Sequence, residues 1–287
     1  MHELLRSEYD LDIREVLDHV QSYPTRSVFR VATSDGTVAV KVDRQPPPRE
    51  AVGSEAVHHD VALRLPEHLP RLRPTTSGSF AVHRPGLRVT VSEDIPGGPP
   101  PDTVETWAAL GSILARLHAL TPVSRPFAIP VHAAIEELAT QSAAYGFGAE
   151  FRALLPRAAD IDVGATATIH GEVNLSNCLA RADGTIVLID WDQAGYGRTA
   201  LDLGYPLVCV FLTEDLDWRS PMAAAFYKAY QKHRPLPDAE QILAAALFHA
   251  MRYMWFHNVD RRWRRVQHAA MNRAALMSVL SPAQTSR

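Results

Sequence analysis

Cysteine is nearly missing from this chain: 287 residues carry two, Cys178 and Cys209. Both sit in apolar surroundings, as reduced, buried thiols of a cytoplasmic protein do, and no disulfide framework can be built from them. Long hydrophobic runs are missing as well. The longest candidate, residues 242–256, is interrupted by His249 and Arg252 and falls short of a bilayer crossing, so no membrane partner is expected. The start, MHELLRSEYDLD, is charged where a secretory signal is apolar. An excess of positive charge is also missing. The 29 Lys and Arg against 32 Asp and Glu leave a net charge of −3, which speaks against nucleic acid or an anionic membrane as partner. The run Arg261-Arg262-Trp263-Arg264-Arg265 therefore reads as a solvated helix face. The 13 histidines are scattered, His58-His59 apart, rather than grouped at ligand spacing, which argues against a metal hydrolase. Lysine is scarce beside arginine, and Lys41 is the first in the chain. What is present is ordinary: 46% hydrophobic and 21% charged residues, a soluble globule long enough for one large core or two lobes.

Periodicity predicts strands early and helices late. Residues 3–20 place Leu4, Leu5, Leu11, Ile13, Val16, Leu17 and Val20 on an irregular helical stripe, which predicts one or two short helices. Residues 27–33 and 37–42 predict two strands joined at Ser34-Asp35-Gly36. After the breaker Pro46-Pro47-Pro48 a helix is expected over 49–65, then strands over 79–82 and 88–94. Helices follow at 104–117, with Asp102 and Glu105 as a capping-box start, and near 133–145 and 149–158. The last part, 200–280, is helical, including 223–232 and 239–259, the latter with Asp238 as N-cap. His118, on an apolar helix face, reads as a satisfied core histidine.

Residues 168–194, TIHGEVNLSNCLARADGTIVLIDWDQA, read strand, loop, strand, turn, strand, acidic loop, with Asp183-Gly184 as the hairpin turn. Asn177 follows five residues after Glu172, and the apolar run 186–189 delivers Asp190, then Trp191 and Asp192. Phosphoryl transfer needs a carboxylate to orient or accept the proton of an attacking hydroxyl, and oxygen ligands to hold Mg²⁺ against the phosphates. Protein kinases place an acidic residue, an asparagine and a strand-end aspartate in this same order. Lys41, in the alternating strand TVAVKV, is placed to reach phosphate oxygens from the sheet.

With His170-Gly171-Glu172, Asn177 and Ile189-Asp190-Trp191-Asp192, the chain resembles the aminoglycoside phosphotransferase and choline kinase-like family. Its pattern is His-Gly-Asp, four residues, Asn, then Ile-Asp-Trp-Glu/Asp. The resemblance implies an α+β, bilobal, protein-kinase-like fold. Residues 1–95 would form a small β-rich nucleotide-binding lobe, and 96–287 a larger, mainly helical catalytic and substrate-binding lobe, with the nucleotide in the cleft between them. It implies an ATP-dependent (or GTP-dependent) O-phosphotransferase using Mg²⁺ on a small-molecule hydroxyl acceptor, an antibiotic such as an aminoglycoside being the family default, in a monomer or homodimer.

Roles follow from the same resemblance. Glu172 stands where the family has its base, Asn177 and Asp190 where it has its metal ligands. Lys41 would hold phosphate and Glu55 would hold Lys41, with Glu50 as the fallback. Ser22, Thr25 and Ser27 would offer hydroxyls to the phosphates and Arg26 a charge, and Glu93, Asp94 and Ile95 would line the adenine edge. His170 and Asp202 would brace the catalytic loop, and Asp192 would assist the metal or face the substrate. Glu214, Asp215 and Asp217 would suit a polycationic acceptor, whereas Arg252 and Arg261 would suit an anionic or neutral one. Three departures stand out. Glu replaces the usual Asp at 172, displacing the carboxylate by more than about 1 Å, enough to affect rate. Residues 22–27, between the first strands, hold no glycine, and Tyr196-Gly197-Arg198 replaces Gly-Asp-Pro. A non-aminoglycoside antibiotic, a sugar, a nucleoside or an amino alcohol stays open as the acceptor, and Glu172 leaves open a nucleotide-binding pseudokinase.

Overall fold

A computed structural model describes residues 1–23, 25–44, 53–162, 164–256 and 258–280; the proline triplet and Glu50 lie outside them. In chain order the first hundred residues form α1 (His2–Tyr9), β1 (Ile13–Tyr23), β2 (Arg26–Thr33), β3 (Gly36–Arg44), α2 (Ser54–Arg64), β4 (Val82–Arg84) and β5 (Leu87–Glu93). Then come α3 (Val104–His118), α4 (Val131–Ser142), α5 (Gly148–Ala159), β6 (Thr166–Ile169), β7 (Cys178–Ala180), β8 (Ile186–Leu188) and β9 (Gly195–Arg198). The chain continues through α6 (Thr199–Cys209), α7 (Ser220–Gln231), α8 (Ala239–Tyr253), α9 (Val259–Met271) and α10 (Arg273–Leu280). Two compact units result: Met1–Pro100 with Ser176–Ala194, and Pro101–Leu175 with the chain from Gly195 onward.

The first unit is built on an antiparallel sheet in the order β1-β2-β3-β5-β4. Strand alternation divides β3: Val40 and Val42 are buried with Leu5, Tyr9, Leu11, Val31, Val89 and Val91 in a core roofed by α1, while Lys41 and Asp43 go to the other face. The Tyr9 hydroxyl ties α1 to the sheet by donating to the Val89 carbonyl at 2.8 Å. The helical expectation for residues 3–20 is half right. Helix α1 stops where Asp10 turns left-handed (φ 51°), and residues 13–23 become β1. Val16, Leu17 and Val20 remain exposed there, so the apolar stripe does not mark a buried face; cross-strand pairing to β2 forms this element. Three register irregularities along β1 twist this outermost strand, a common protection of a sheet edge.

The β7–β8 hairpin belongs to the same unit. Gly184 (φ 84°) supplies its turn, and the Asp183 carboxylate accepts from the Thr185 N–H at 2.9 Å. Backbone bonds from Ala180 N–H to the Gly98 carbonyl and from Leu188 N–H to the His68 carbonyl, each 2.8 Å, fix the hairpin in place.

The second unit is mainly helical, with the small β6–β9 ladder. Trp107, Phe211, Phe226 and Tyr227 form an aromatic core between α3 and α7. Helices α6 and α8 approach so closely that a Cβ on Gly204 would lie 2.5 Å from the Ala246 nitrogen. The α3 cap is Thr103, whose hydroxyl accepts from the Thr106 N–H; Asp102 instead accepts from Trp107 and pairs with Arg219. Asp238 caps α8 as expected. The helix predicted over 239–259 breaks after Tyr253, and α9 restarts behind a new cap, Asn258. Trp263 is buried against Phe147 in the middle of the arginine run, so only part of that run is solvated. Among the described residues no helix is long and apolar enough to cross a membrane.

Candidate functional site

The sheet register of the first unit assembles a charged cluster. Antiparallel partners project to one face; Arg26 is opposite Asp43, and Asp43 is opposite Arg88, so both arginines share the face that carries Lys41 and Asp43. The hairpin brings Asp190 and Asp192 to this face. Lys41 Nζ donates to Asp190 at 2.8 Å and to Asp192 at 2.6 Å. Arg26 donates from Nε to Asp43 at 2.7 Å and from its terminal nitrogens to Asp192 and, at 3.3 Å, to Asp190. Arg88, almost wholly buried, donates to Asp43, Asp192, Glu55 and the Ser54 hydroxyl at 3.1–3.2 Å. Burial alone would push the Asp192 carboxyl up, but Lys41, Arg88 and Arg26 hold it far below the usual carboxylate range. Burial would likewise lower the Lys41 ammonium, and Asp190 and Asp192 reverse this and raise it.

The expected Lys41–Glu55 pair is replaced. Glu55, in the first turn of α2, receives Arg88 at 3.1 Å and His83 at 3.3 Å, while Lys41 is held by Asp190 and Asp192. The physical reason is the fork of Arg88, which stands on the lysine's face of the sheet and links Glu55 to Asp192. Sequence reasoning missed Asp43 and Arg88. A signal for Asp43 was there, since alternation puts residues 41 and 43 on one face; Arg88 needs the pairing register, which no local pattern carries.

Asp190 leaves β8 with φ 60°, a left-handed conformation uncommon for a non-glycine residue and enriched at functional sites. Just before it, the Ile189 N–H donates to the Asn177 carbonyl at 2.9 Å, so Asn177 and Asp190 stand together at the open end of the hairpin. The carboxylates of Asp190 and Asp192 converge on one ammonium and so point to a common place. Two carboxylates fit Mg²⁺, which takes one or two protein carboxylates and completes its shell with phosphate oxygens and water. No larger metal-ligand group of His, Cys, Asp and Glu occurs among the described residues.

In the second unit the loop after β6 carries His170, Gly171 and Glu172. Gly171 adopts φ 93°, and Asp202, at the start of α6, accepts from the backbone N–H groups of His170 (2.8 Å) and Gly171 (2.5 Å). His118 Nε2 donates to the same carboxylate at 3.0 Å, and its Nδ1 meets the Tyr230 hydroxyl at 2.8 Å: the satisfied core histidine expected. Burial would raise the Asp202 carboxyl, and the hydrogen bonds and charge of its neighbours, His118 first, pull it below normal instead. The Glu172 N–H donates to His170 Nδ1 at 3.3 Å. Its carboxylate accepts from the Tyr205 hydroxyl at 3.4 Å, and that hydroxyl in turn accepts from the Asn174 amide at 3.2 Å. Tyr205, one turn beyond Asp202, was not foreseen.

The remaining candidates are dispersed. Ser27 lies on the core face of β2, opposite to Lys41, where its hydroxyl accepts from Arg44 at 2.7 Å. Glu93 receives Arg181 at 3.1 Å, Asp94 is clasped by Arg30 at 2.7 and 2.9 Å, and Ile95 is buried. Glu214 pairs with Arg261 at 2.8 Å, and Asp215 is exposed. Cys178 and Cys209 are free thiols that burial pushes up to about 12.

The sequence pattern of the phosphotransferase enzyme family matches residues 24–243. Among solved structures the chain is similar to an aminoglycoside phosphotransferase from Alicyclobacillus acidocaldarius, at 18% identity and TM-score 0.60, covering 98% of this chain and 96% of that one. It is similar to a choline kinase from Streptococcus pneumoniae at 15% identity and TM-score 0.65, covering 95% and 97%. It is also similar to a spectinomycin phosphotransferase in complex with ADP and spectinomycin, at 14% and 0.59, covering 99% and 94%. At such identities the likeness is one of fold, and it agrees with the kinase-like α+β fold expected from the motif. No curated protein sequence matches the chain.

Proposed function

The chain belongs to the phosphotransferase enzyme family, and on that footing we propose that this small-molecule phosphotransferase moves the γ-phosphoryl group of ATP, or of GTP, to a hydroxyl of its acceptor with Mg²⁺. The observation that carries the proposal is the meeting of Lys41 with Asp190 at 2.8 Å, at the hairpin end where Asn177 also stands. Residues 1–95 serve as the nucleotide-binding lobe, joined by the hairpin, and 96–287 as the catalytic and substrate-binding lobe. Asp190 and Asn177 hold the metal, which when bound neutralises phosphate charge. Lys41 steadies the phosphates, Glu93 to Ile95 line the nucleotide edge, and Asp192 holds Lys41 and assists the metal beside Asp190. Asp202 fixes the loop backbone, and Glu172 takes the proton of the acceptor hydroxyl.

The Glu-for-Asp replacement motivates the pseudokinase alternative. Against it stands the Tyr205 hydroxyl, which gives the longer Glu172 side chain a fixed partner. For the acceptor, an antibiotic of the aminoglycoside kind is the family default. The Glu214–Arg261 ion pair favours a second reading, because it neutralises one of the acids that would attract a polycation. A neutral sugar or nucleoside, or an amino alcohol with its single positive charge, fits that pairing better than a polycation. A mass-spectrometric screen with Mg-ATP, pairing antibiotics against sugars, nucleosides and amino alcohols, decides. A phosphorylated product identifies the acceptor, and nucleotide binding with no product from any class would leave the pseudokinase.

A further inference from the structure

Arg26 has no place in the motif that carries the family resemblance, yet its guanidinium bridges three carboxylates of the cluster. The anchor and the reach use different atoms. Nε is held by Asp43, its partner across the sheet, at 2.7 Å, while the two terminal nitrogens meet Asp192 and Asp190. A guanidinium that releases Asp190 and Asp192 therefore keeps its bond to Asp43 and turns about it. Arg88 cannot do this, because it is buried and fixed on α2, β3 and Asp192 together. Lys41 holds Asp190 and Asp192 through its only side-chain nitrogen.

Charge gives the arrangement a purpose. Lys41, Arg26 and Arg88 face Asp43, Glu55, Asp190 and Asp192, three positive groups against four negative, a net charge of −1. A divalent cation would turn this into +1, suited to a polyphosphate. We infer that Arg26 is a stand-in counter-ion: beside Lys41 it neutralises Asp190 and Asp192 until a divalent metal takes those carboxylates, and its freed fork then binds nucleotide phosphate. The inference rests on the proposed phosphotransferase reading in the part that gives Asp190 a metal.

It predicts two changes of opposite sign when Arg26 is removed. Taking one positive charge from beside Asp190 and Asp192 strengthens metal binding by on the order of tenfold, while nucleotide loses a phosphate ligand. The test is titration of the full chain with Mn²⁺, following free ion by electron paramagnetic resonance, and separate titration with ADP at saturating Mn²⁺. The proteins are wild type, Arg26→Ala, the longer neutral Arg26→Gln, Arg26→Lys and Asp190→Asn. Arg26 is partly exposed at a strand end, and melting curves check that each variant folds. Tighter Mn²⁺ and weaker ADP in Arg26→Ala and Arg26→Gln, with Mn²⁺ affinity near wild type in Arg26→Lys, support the inference. Unchanged or weaker Mn²⁺ binding in both neutral variants overturns it. The phosphotransferase reading survives that result if Mn²⁺ binding is still lost in Asp190→Asn. Failure of wild type to bind Mn²⁺ even with ADP sinks both.

Discussion

Asp192, half-buried, and Asp202, fully buried, are two aspartates with opposite kinds of company. Asp192, 13% exposed, is surrounded by the side-chain cations of Lys41, Arg26 and Arg88, of which Arg88 is fixed and the other two reach it with their free ends. Asp202, with no exposure, accepts two backbone N–H groups and one buried imidazole. Both carboxyls are held below their ordinary range, the first by cations and the second by hydrogen bonds led by His118. The difference teaches which part of the molecule can exchange partners. Flexible cations can give way to a metal or a phosphate, whereas backbone groups in a turn containing Gly171 cannot move without remaking the loop.

The strongest break in this comparison is Asp190→Asn, beside Asp192. It removes the charge proposed to bind metal and is expected to lower transfer by at least about a thousandfold, with a folded protein by circular dichroism. Full activity in the variant would end the metal assignment. Next is Asp202→Ala. It leaves buried donors from His118, His170 and Gly171 unmatched and is expected to cost about 3–5 kcal/mol in urea unfolding; a loss below about 1 kcal/mol would mean that the loop does not depend on this carboxylate. Glu172→Ala should lower turnover about a hundredfold or more while nucleotide affinity, read by calorimetry, holds. Unchanged turnover would place the base elsewhere.

Much of this was legible in the sequence, but not evenly. The hairpin and its Asp190 were readable because Asp183-Gly184 names a turn and the apolar run 186–189 names a strand. Lys41 was readable from strand alternation. His118 and Asp202 were given roles that match their surroundings. The partner of Lys41 was not readable, because it depends on Arg88, whose position follows from the pairing of β3 with β5. Residues 13–23 were misread because exposed valines and leucines on a twisted edge strand imitate a helical stripe. Long-range pairing, absent from local pattern, accounts for both failures.

The finest test separates the two aspartates by what holds them. Both folded-state carboxyls are depressed, so each contributes stability fully above the unfolded value of about 3.9, and each loses it as pH falls through that value toward the lower folded one. Acid should therefore weaken wild type more steeply than either Asp192→Asn or Asp202→Asn, read as unfolding free energy between about pH 5 and pH 3. Salt should tell them apart. Charge–charge attraction around the partly exposed Asp192 is screened as ionic strength rises, since the Debye length shrinks from about 10 Å at 0.1 M to about 3 Å at 1 M. Hydrogen bonds inside a solvent-free pocket are not. The gap between wild type and Asp192→Asn should narrow in 1 M salt by a few tenths of a kcal/mol to about 1 kcal/mol, and the gap to Asp202→Asn should stay fixed. Equal narrowing in both would mean that Asp202 too is held mainly by charge.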